Sequence, residues 1–291
     1  MIWDFPYDSP SAIIELLERR GFAASKKFGQ NFLISAPIRQ RIAASMEPLQ
    51  DAKLWEIGPG LGALTRELLR GGAFVTAFEI DHGFCSILRE EAFPEEERFR
   101  LIEGDALKTW PAVYEKEGTP DIICGNLPYN VGSICIARFL ESQCLPAMMV
   151  FTLQKEVADR LGAHAGSKAW STLSILAQVD YEVTQLFTIK GGAFFPAPQV
   201  ESAVVRLTKR GHPQVPVSKR TVFLEVVSDL FTQRRKTVRN NLLQGKTGAR
   251  HGKEGVLEAL ALASIAESER AEKLDFEQLL RLSQIFQEMG K

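Results

Sequence analysis

The sequence predicts an α/β sheet domain followed by a small all-helical domain, and three observations carry that expectation. Short apolar runs rich in Val, Ile and Phe recur between Lys53 and Leu207, separated by helical stretches, as in a buried sheet flanked by helices. One alternation reads strand, glycine turn, helix: Lys53–Ile57, then Gly58-Pro59-Gly60-Leu61-Gly62, then Ala63–Arg70. Beyond Lys209–Lys219, which contains Gly211, Pro213 and Pro216, only helical periodicity remains.

The elements follow in order. Ser11–Arg20 places Ile13, Ile14, Leu16 and Leu17 at helical spacing and stops at Gly21. Lys26-Lys27-Phe28-Gly29-Gln30-Asn31-Phe32-Leu33 fits no period; it reads as an ordered loop over a site, or as a solvated basic loop. Ser35–Met46 resumes a helix. After the glycine turn and its helix, Phe74–Phe78 is a strand ending in Glu79, and Phe99–Glu103 is a third, followed by Gly104-Asp105-Ala106. Ile122–Gly125 is the fourth strand, which must stop by Pro128 because proline cannot donate to a ladder. Helix Ser133–Leu140, strand Ala147–Leu153 and a helix from Gln154 to about Leu161 come next. Trp170–Val179 is helical, Tyr181–Phe187 a strand, and Val200–Leu207 the last strand, for seven in all. Gly191 to Pro198 reads as a loop whose aromatics, Phe194 and Phe195, could close over a flat ligand, or as ordinary Pro-Gly turns. The helical region then offers Val222–Phe231, Arg234–Leu243, Gly255–Ala263 and Phe276–Met289. The expected division is residues 1–210 for the sheet domain with an N-terminal cap segment, and 217–291 for the helical domain.

Composition excludes several classes. Of 291 residues, 45% are hydrophobic and 24% charged, with a net charge of −1, ordinary for a soluble chain with a real core. Cys85, Cys124, Cys135 and Cys144 have no Cys-x-x-Cys spacing, which argues against a zinc site or disulfide frame; no metal is expected, and a reducing cytoplasm fits. The N-terminus carries Asp4 and Asp8 with no apolar core of a signal peptide. The longest apolar run, Leu145–Leu153, is too short for a bilayer.

The chemistry-bearing residues cluster beyond strand ends, where α/β folds place ligands. The glycine turn lets backbone approach a ligand, and the following helix offers free N–H groups. Glu79 lies 21 positions after Gly58, the spacing at which a carboxylate meets ribose hydroxyls; Asp81 competes for that role. Gly58, Gly60 and Ala63 also satisfy the dinucleotide pattern. The turn therefore specifies an adenosine-containing cofactor more firmly than which one, although Glu56 before it leans towards S-adenosylmethionine (SAM). Asp105 suits a bond from an adenine amine, or a helix cap. Asn126-Leu127-Pro128-Tyr129 suits a base with an exocyclic amine: an Asn oxygen and a nearby carbonyl can accept both N–H bonds, and the Tyr ring can stack on the base. The plainer alternative is an Asx-type turn. From Arg206 to Arg250 eleven Lys or Arg stand against Glu225 and Asp229. The densest part, Arg234-Arg235-Lys236 with Arg239, reads as an RNA-binding patch or a solvated helix face.

At this point the chain resembles the ribosomal RNA adenine N6-dimethyltransferases, most closely their bacterial small-subunit branch. The resemblance lies in Lys27–Leu33, Glu56–Leu61, Gly104-Asp105, Gly125–Asn130, Leu153–Val157, Ala193-Phe194 through Val200, and Arg234–Thr237, in the family's order. It implies a class I SAM-dependent methyltransferase fold, Rossmann-like, with a seven-stranded sheet whose last strand is antiparallel. It implies SAM contacts at Gln30, Asn31, Leu33, Gly58, Gly60, Glu79, Asp105 and Asn126. Asn126, Leu127, Pro128 and Tyr129 would form the catalytic motif, with Phe194 holding the base against Tyr129. Arg234, Arg235, Lys236 and Arg239 would bind RNA. The implied reaction is dimethylation of two adjacent adenosines in a hairpin loop near the 3′ end of small-subunit rRNA, on immature 30S subunits, by a monomeric cytoplasmic enzyme. Leu127, rather than Ile, points to the small-subunit branch. The chain departs from its relatives in Gly162–Ser171, where a Tyr is expected near Trp170, and in a long lead before Lys26. Other readings are a large-subunit resistance methylase, a non-catalytic assembly factor on the same fold, and a nicotinamide oxidoreductase.

Overall fold

The structure, a computed structural model, describes residues 2–21, 31–128 and 131–290. Within its sheet lies β2 (Lys53–Ile57), buried along all but its first residue. On one side β2 pairs in parallel with β3 (Phe74–Glu79), and β3 with β4 (Phe99–Glu103). On the other it pairs in parallel with β5 (Ile122–Asn126), and β5 with β6 (Met148–Gln154). The sheet order is completed by β9 (Ser202–Lys209) and then β7 (Tyr181–Ile189), seven strands in all. β9 runs antiparallel to β6, from Met148↔Thr208 to Gln154↔Ser202. Near-continuous apolar sequence in β2, β5 and β6 follows from burial on both faces. Gly125 is required by close approach: a Cβ there would lie 2.5 Å from the Ile57 carbonyl oxygen. A separate two-stranded ribbon pairs β1 (Phe32–Leu33) with β8 (Phe194–Phe195).

Between these strands run α2 (Ala36–Ala44), α3 (Ala63–Arg70), α4 (His82–Ile87), α5 (Ala106–Glu117), α6 (Gly132–Glu141) and α7 (Lys155–Leu161), with α1 (Pro10–Arg19) before them. The strand order turns at β2, because the chain leaves it for β3 on one side and places β5 on the other. A crevice opens beyond the carboxyl ends of strands at such a switch point.

The chain forms two compact units, 1–158 with 183–209, and 159–182 with 210–291. This corrects the expected division, which left 159–182 in the sheet domain. The reason is packing: Trp170, Ile175 and Val179 share a core with Phe223, Leu230, Leu260 and Phe286. Trp170 also donates from Nε1 to the Leu274 carbonyl at 3.0 Å. Each such side chain contributes about 1.5–3 kcal/mol on burial. The helices of this unit are α8 (Thr172–Asp180), α9 (Val217–Leu230), α10 (Val238–Gln244), α11 (Lys246–Leu262) and α12 (Phe276–Met289). Among the described residues no helix is long and apolar enough to cross a membrane.

Candidate functional site

The crevice is built on backbone that only glycine adopts readily. Gly58, Gly60 and Gly62 have φ of 68°, 58° and 83°, in the region where a Cβ is strained. They turn the chain from β2 into α3, and their N–H groups are held by the Phe78 carbonyl (Gly58), Glu79 (Gly60) and the Pro59 carbonyl (Gly62). Glu79, at the end of β3, accepts from the amides of Gly60 (3.0 Å), Ile80 (2.9 Å) and Asp81 (2.9 Å). Burial raises its pKa, and the three amide bonds pull the other way. Asp81 is committed elsewhere, capping α4 by accepting from Gly83 and Phe84 at 2.8 and 3.2 Å. The structure therefore brings Glu79, not Asp81, to the crevice. Asp105 caps α5 by accepting from Leu107 N–H at 3.0 Å, and it also lines the same cavity.

Asn126 closes the far side. Its Nδ2 donates to the Asn31 carbonyl at 3.0 Å. A carbonyl can only accept, so this bond fixes which way the amide faces and assigns the acceptor role to Oδ1. Leu127 is held by its own N–H to the Thr152 carbonyl at 3.1 Å, and both Leu127 and Pro128 line the cavity. Tyr129 and Gln30, two of the expected site residues, lie outside the described residues. Phe194 is among the described residues, whereas Tyr129, against which it was expected to hold the base, is not. The Phe194 ring is buried in the core with Leu33 and Ile189, does not line the cavity, and sits opposite Leu33 in the β1–β8 ribbon. Short alternation put Phe194 inside and Phe195 towards the cluster around Phe32 and Tyr7.

These residues enclose a cavity of about 290 Å³. Asn31, Leu33, Gly58, Gly60, Glu79, Asp105 and Asn126 all line it. Glu56 lies at its base, buried, accepting from Thr65 Oγ1 at 2.6 Å; burial pushes its pKa up to about 7. Cys135 also lines the wall, and burial pushes its thiol up to about 12, so it stays protonated and unreactive at neutral pH. Tyr7, Ile13 and Phe84 line the cavity too and were not anticipated. The lining fits SAM: a carboxylate at the β3 end for vicinal hydroxyls, a glycine loop whose backbone a ligand can approach without side chains in the way, apolar walls for a purine, and amide and carboxylate acceptors for amines.

In the second unit the basic cluster is split between a turn, which holds Arg234, Arg235 and Lys236, and the first turn of a helix, which holds Arg239. Helix α10 starts at Val238, with Thr237 as its N-cap accepting from Asn240 N–H at 3.3 Å. Arg234, Arg235 and Lys236 therefore form the turn before it, correcting the expected helix over 234–243. The fold also supplies acids that the count along the sequence missed: Arg234 pairs with Glu272 at 3.4 Å and Arg239 with Glu267 at 3.2 Å. Lys236 donates to Gln244 Oε1 at 3.2 Å, and Arg234 reaches the Lys168 carbonyl. Arg235 is exposed.

Comparison with known proteins matches this arrangement to a family. The model of the family described as ribosomal RNA adenine dimethylase matches residues 21–288. A ribosomal RNA small subunit methyltransferase A from Treponema denticola is 40% identical over 96% of this chain and 95% of its own. Its counterpart from Hahella chejuensis is 41% identical over 91% and 94%. Among solved structures, the 23S rRNA methyltransferase ErmE superimposes with a TM-score of 0.66 at 26% identity, over 88% of this chain and all of its own. A dimethyladenosine transferase from Plasmodium falciparum gives 0.71 at 22% identity over 88% and 97%, which bears on the fold. With a family model spanning nearly its whole length and relatives at two-fifths identity, the chain belongs to the ribosomal RNA adenine dimethylase family of SAM-dependent methyltransferases.

Proposed function

We propose that this enzyme dimethylates N6 of two adjacent adenosines in a hairpin loop near the 3′ end of small-subunit rRNA, acting as a monomer on immature 30S subunits in the cytoplasm. The observation that carries the chemistry is the Asn126 amide, pinned through Nδ2 to the Asn31 carbonyl so that Oδ1 is the acceptor. When bound, SAM supplies a methyl group made electrophilic by its sulfonium. Glu79 would accept from its ribose hydroxyls, and the glycine loop and Asp105 would hold the rest of the cofactor. Asn126 Oδ1 and a neighbouring backbone carbonyl accept the N6 hydrogens and aim the nitrogen lone pair at the methyl. These bonds strengthen as the nitrogen gains positive charge, so they favour the transition state over bound substrate. No strong base is required, because the proton leaves after the amine has become cationic. Tyr129 stacks on the base. Phe194 acts from below, holding β1 and so the Asn31 carbonyl. The target must be looped out of a duplex, since a paired N6 is unreachable.

The small-subunit assignment is supported by the names of the relatives at about 40% identity. The likeness to a 23S rRNA methyltransferase makes the large subunit the alternative. The test is methyl transfer from labelled SAM to purified immature small subunits, large subunits and a naked hairpin, with dimethyladenosine mapped by primer extension. Small subunits should be labelled at two adjacent adenosines, and the other substrates poorly. Preferential labelling of large subunits overturns the assignment.

A further inference from the structure

The lead before residue 21 carries none of the expected chemistry, yet it is tied to the cofactor crevice and to the elements around it. The Tyr7 hydroxyl donates to the Leu61 carbonyl, inside the glycine loop, at 2.8 Å. The Arg66 guanidinium lies 4.5 Å from the Tyr7 ring centroid and donates from Nη1 to the Phe5 carbonyl at 2.8 Å. Arg39, fully buried, sits 5.6 Å from the same ring and bridges two segments: Nη2 to Asp8 at 2.6 Å and Nη1 to the Leu33 carbonyl at 2.9 Å. Trp3 and Phe5 stack with centroids 4.4 Å apart, and Trp3 N–H reaches the Ala92 carbonyl at 3.1 Å. Behind them α1 buries Ile13, Leu16 and Leu17 against Leu61, Phe84 and Ile87. Tyr7 is 2% exposed, and both Tyr7 and Ile13 are walls of the cavity.

The glycine loop has the greatest backbone freedom in the crevice, with three left-handed glycines in five residues. Such a stretch loses more entropy on ordering than any other, so its shape must be held from outside. The Leu61 carbonyl lies within the loop, and the Tyr7 hydroxyl is its buried donor. Arg39 extends the same hold to the Leu33 carbonyl, two residues after Asn31. We propose that Tyr7 is a positioning residue for the methyl donor: through Leu61 it fixes the glycine loop in its cofactor-binding shape, and with Ile13 it closes one wall of the SAM cavity. The lead is thus part of the cofactor site, not an appendage. This rests on the reading of the cavity as the SAM site.

The test compares Tyr7→Phe, which removes one oxygen, Tyr7→Leu, which removes the ring, and Glu79→Ala. For each, SAM affinity is measured by titration calorimetry, KM for SAM and kcat by methyl transfer to small subunits, and Tm by thermal unfolding. One buried hydrogen bond corresponds to about three- to tenfold in affinity. Tyr7→Phe should weaken SAM binding and raise its KM by about that factor, with kcat and the KM for small subunits within twofold; Tyr7→Leu should weaken it further. Glu79→Ala should weaken SAM tenfold or more. If Glu79→Ala weakens SAM while both Tyr7 variants bind it like wild type, with or without a fall in Tm, the positioning role is overturned and the cavity assignment stands. If Glu79→Ala also binds SAM normally, the cavity assignment falls and the role of Tyr7 with it. Should Tyr7→Leu fail to fold, Tyr7→Phe decides the question alone.

Discussion

Glu56 couples the cofactor crevice to the stability of the fold. An unfolded glutamate titrates near 4.5, whereas buried Glu56 titrates at about 7. Between those values the folded chain keeps a proton that the unfolded chain has lost. Its contribution to stability is therefore full below about pH 4.5 and lost as pH rises through 7, when the native state must carry a buried charge. The difference amounts to roughly 3 kcal/mol. Glu56→Gln preserves an acceptor for Thr65 Oγ1 and removes the charge, so it should raise Tm at about pH 8 and change it little at about pH 4.5. A Tm difference independent of pH would sink this account. Asn126→Ala should lower the rate of methyl transfer about a hundredfold or more while leaving RNA affinity near wild type, because its oxygen matters most as charge develops on N6. Single-turnover transfer at saturating RNA reads this directly, and an unchanged rate would remove Asn126 from the chemistry. At this scale the sequence spacing placed Glu79, Asp105 and Asn126 in the crevice because each lies at or just beyond the carboxyl end of a strand. It left Glu79 and Asp81 in competition because α4, which Asp81 caps, is a six-residue helix with too little periodicity to read. Tyr7 was out of reach altogether, since its partner Leu61 lies 54 positions away.

Elements bounded by glycine or by a change of period were legible to the residue: β2, α3, β4 and α12 fall where the sequence puts them. Two kinds of element were not. The β1–β8 ribbon joins Leu33 to Phe194, and such a distant pairing of two-residue strands leaves no local pattern. The turn Arg234–Lys236 was read as helix because Arg and Lys are good helix formers; the N-cap bond of Thr237 overrides that preference. The β2–β5 contact gives an element-scale prediction. Gly125→Ala would put a Cβ 2.5 Å from the Ile57 carbonyl oxygen, which is backbone in the neighbouring strand and cannot rotate away. The two strands whose ends carry the glycine loop and Asn126 must then separate. A loss of about 1–3 kcal/mol in stability is expected, together with weaker SAM binding. Urea unfolding and SAM titration of the same variant check both; retention of wild-type values for both would mean the sheet relaxes without moving the site.

For the whole molecule, the question is what selects the RNA. The net charge of −1 gives no general attraction to nucleic acid, so phosphate contacts must come from local clusters. Arg234, Arg235 and Lys236 lie in the helical unit, whereas every residue lining the cofactor cavity belongs to the other unit. Replacing the three with Ala should therefore weaken RNA binding and spare SAM binding. If all three meet phosphates, the slope of log K against log salt should flatten by about 2 units for single-stranded contacts. Their present partners qualify this. Arg234 already has Glu272 and Lys236 has Gln244, and a phosphate must compete with both, while exposed Arg235 has no comparable bond among the described residues. Arg235→Ala alone should then take the largest single share of the loss, a result that a uniform basic surface would not give. Binding of small subunits by wild type, the triple variant and each single variant, measured across a salt series alongside SAM titration, separates the cases. Equal affinity of wild type and triple variant at every salt concentration would leave the cluster as a solvated turn and assign loop selection to the methyl-transfer unit alone.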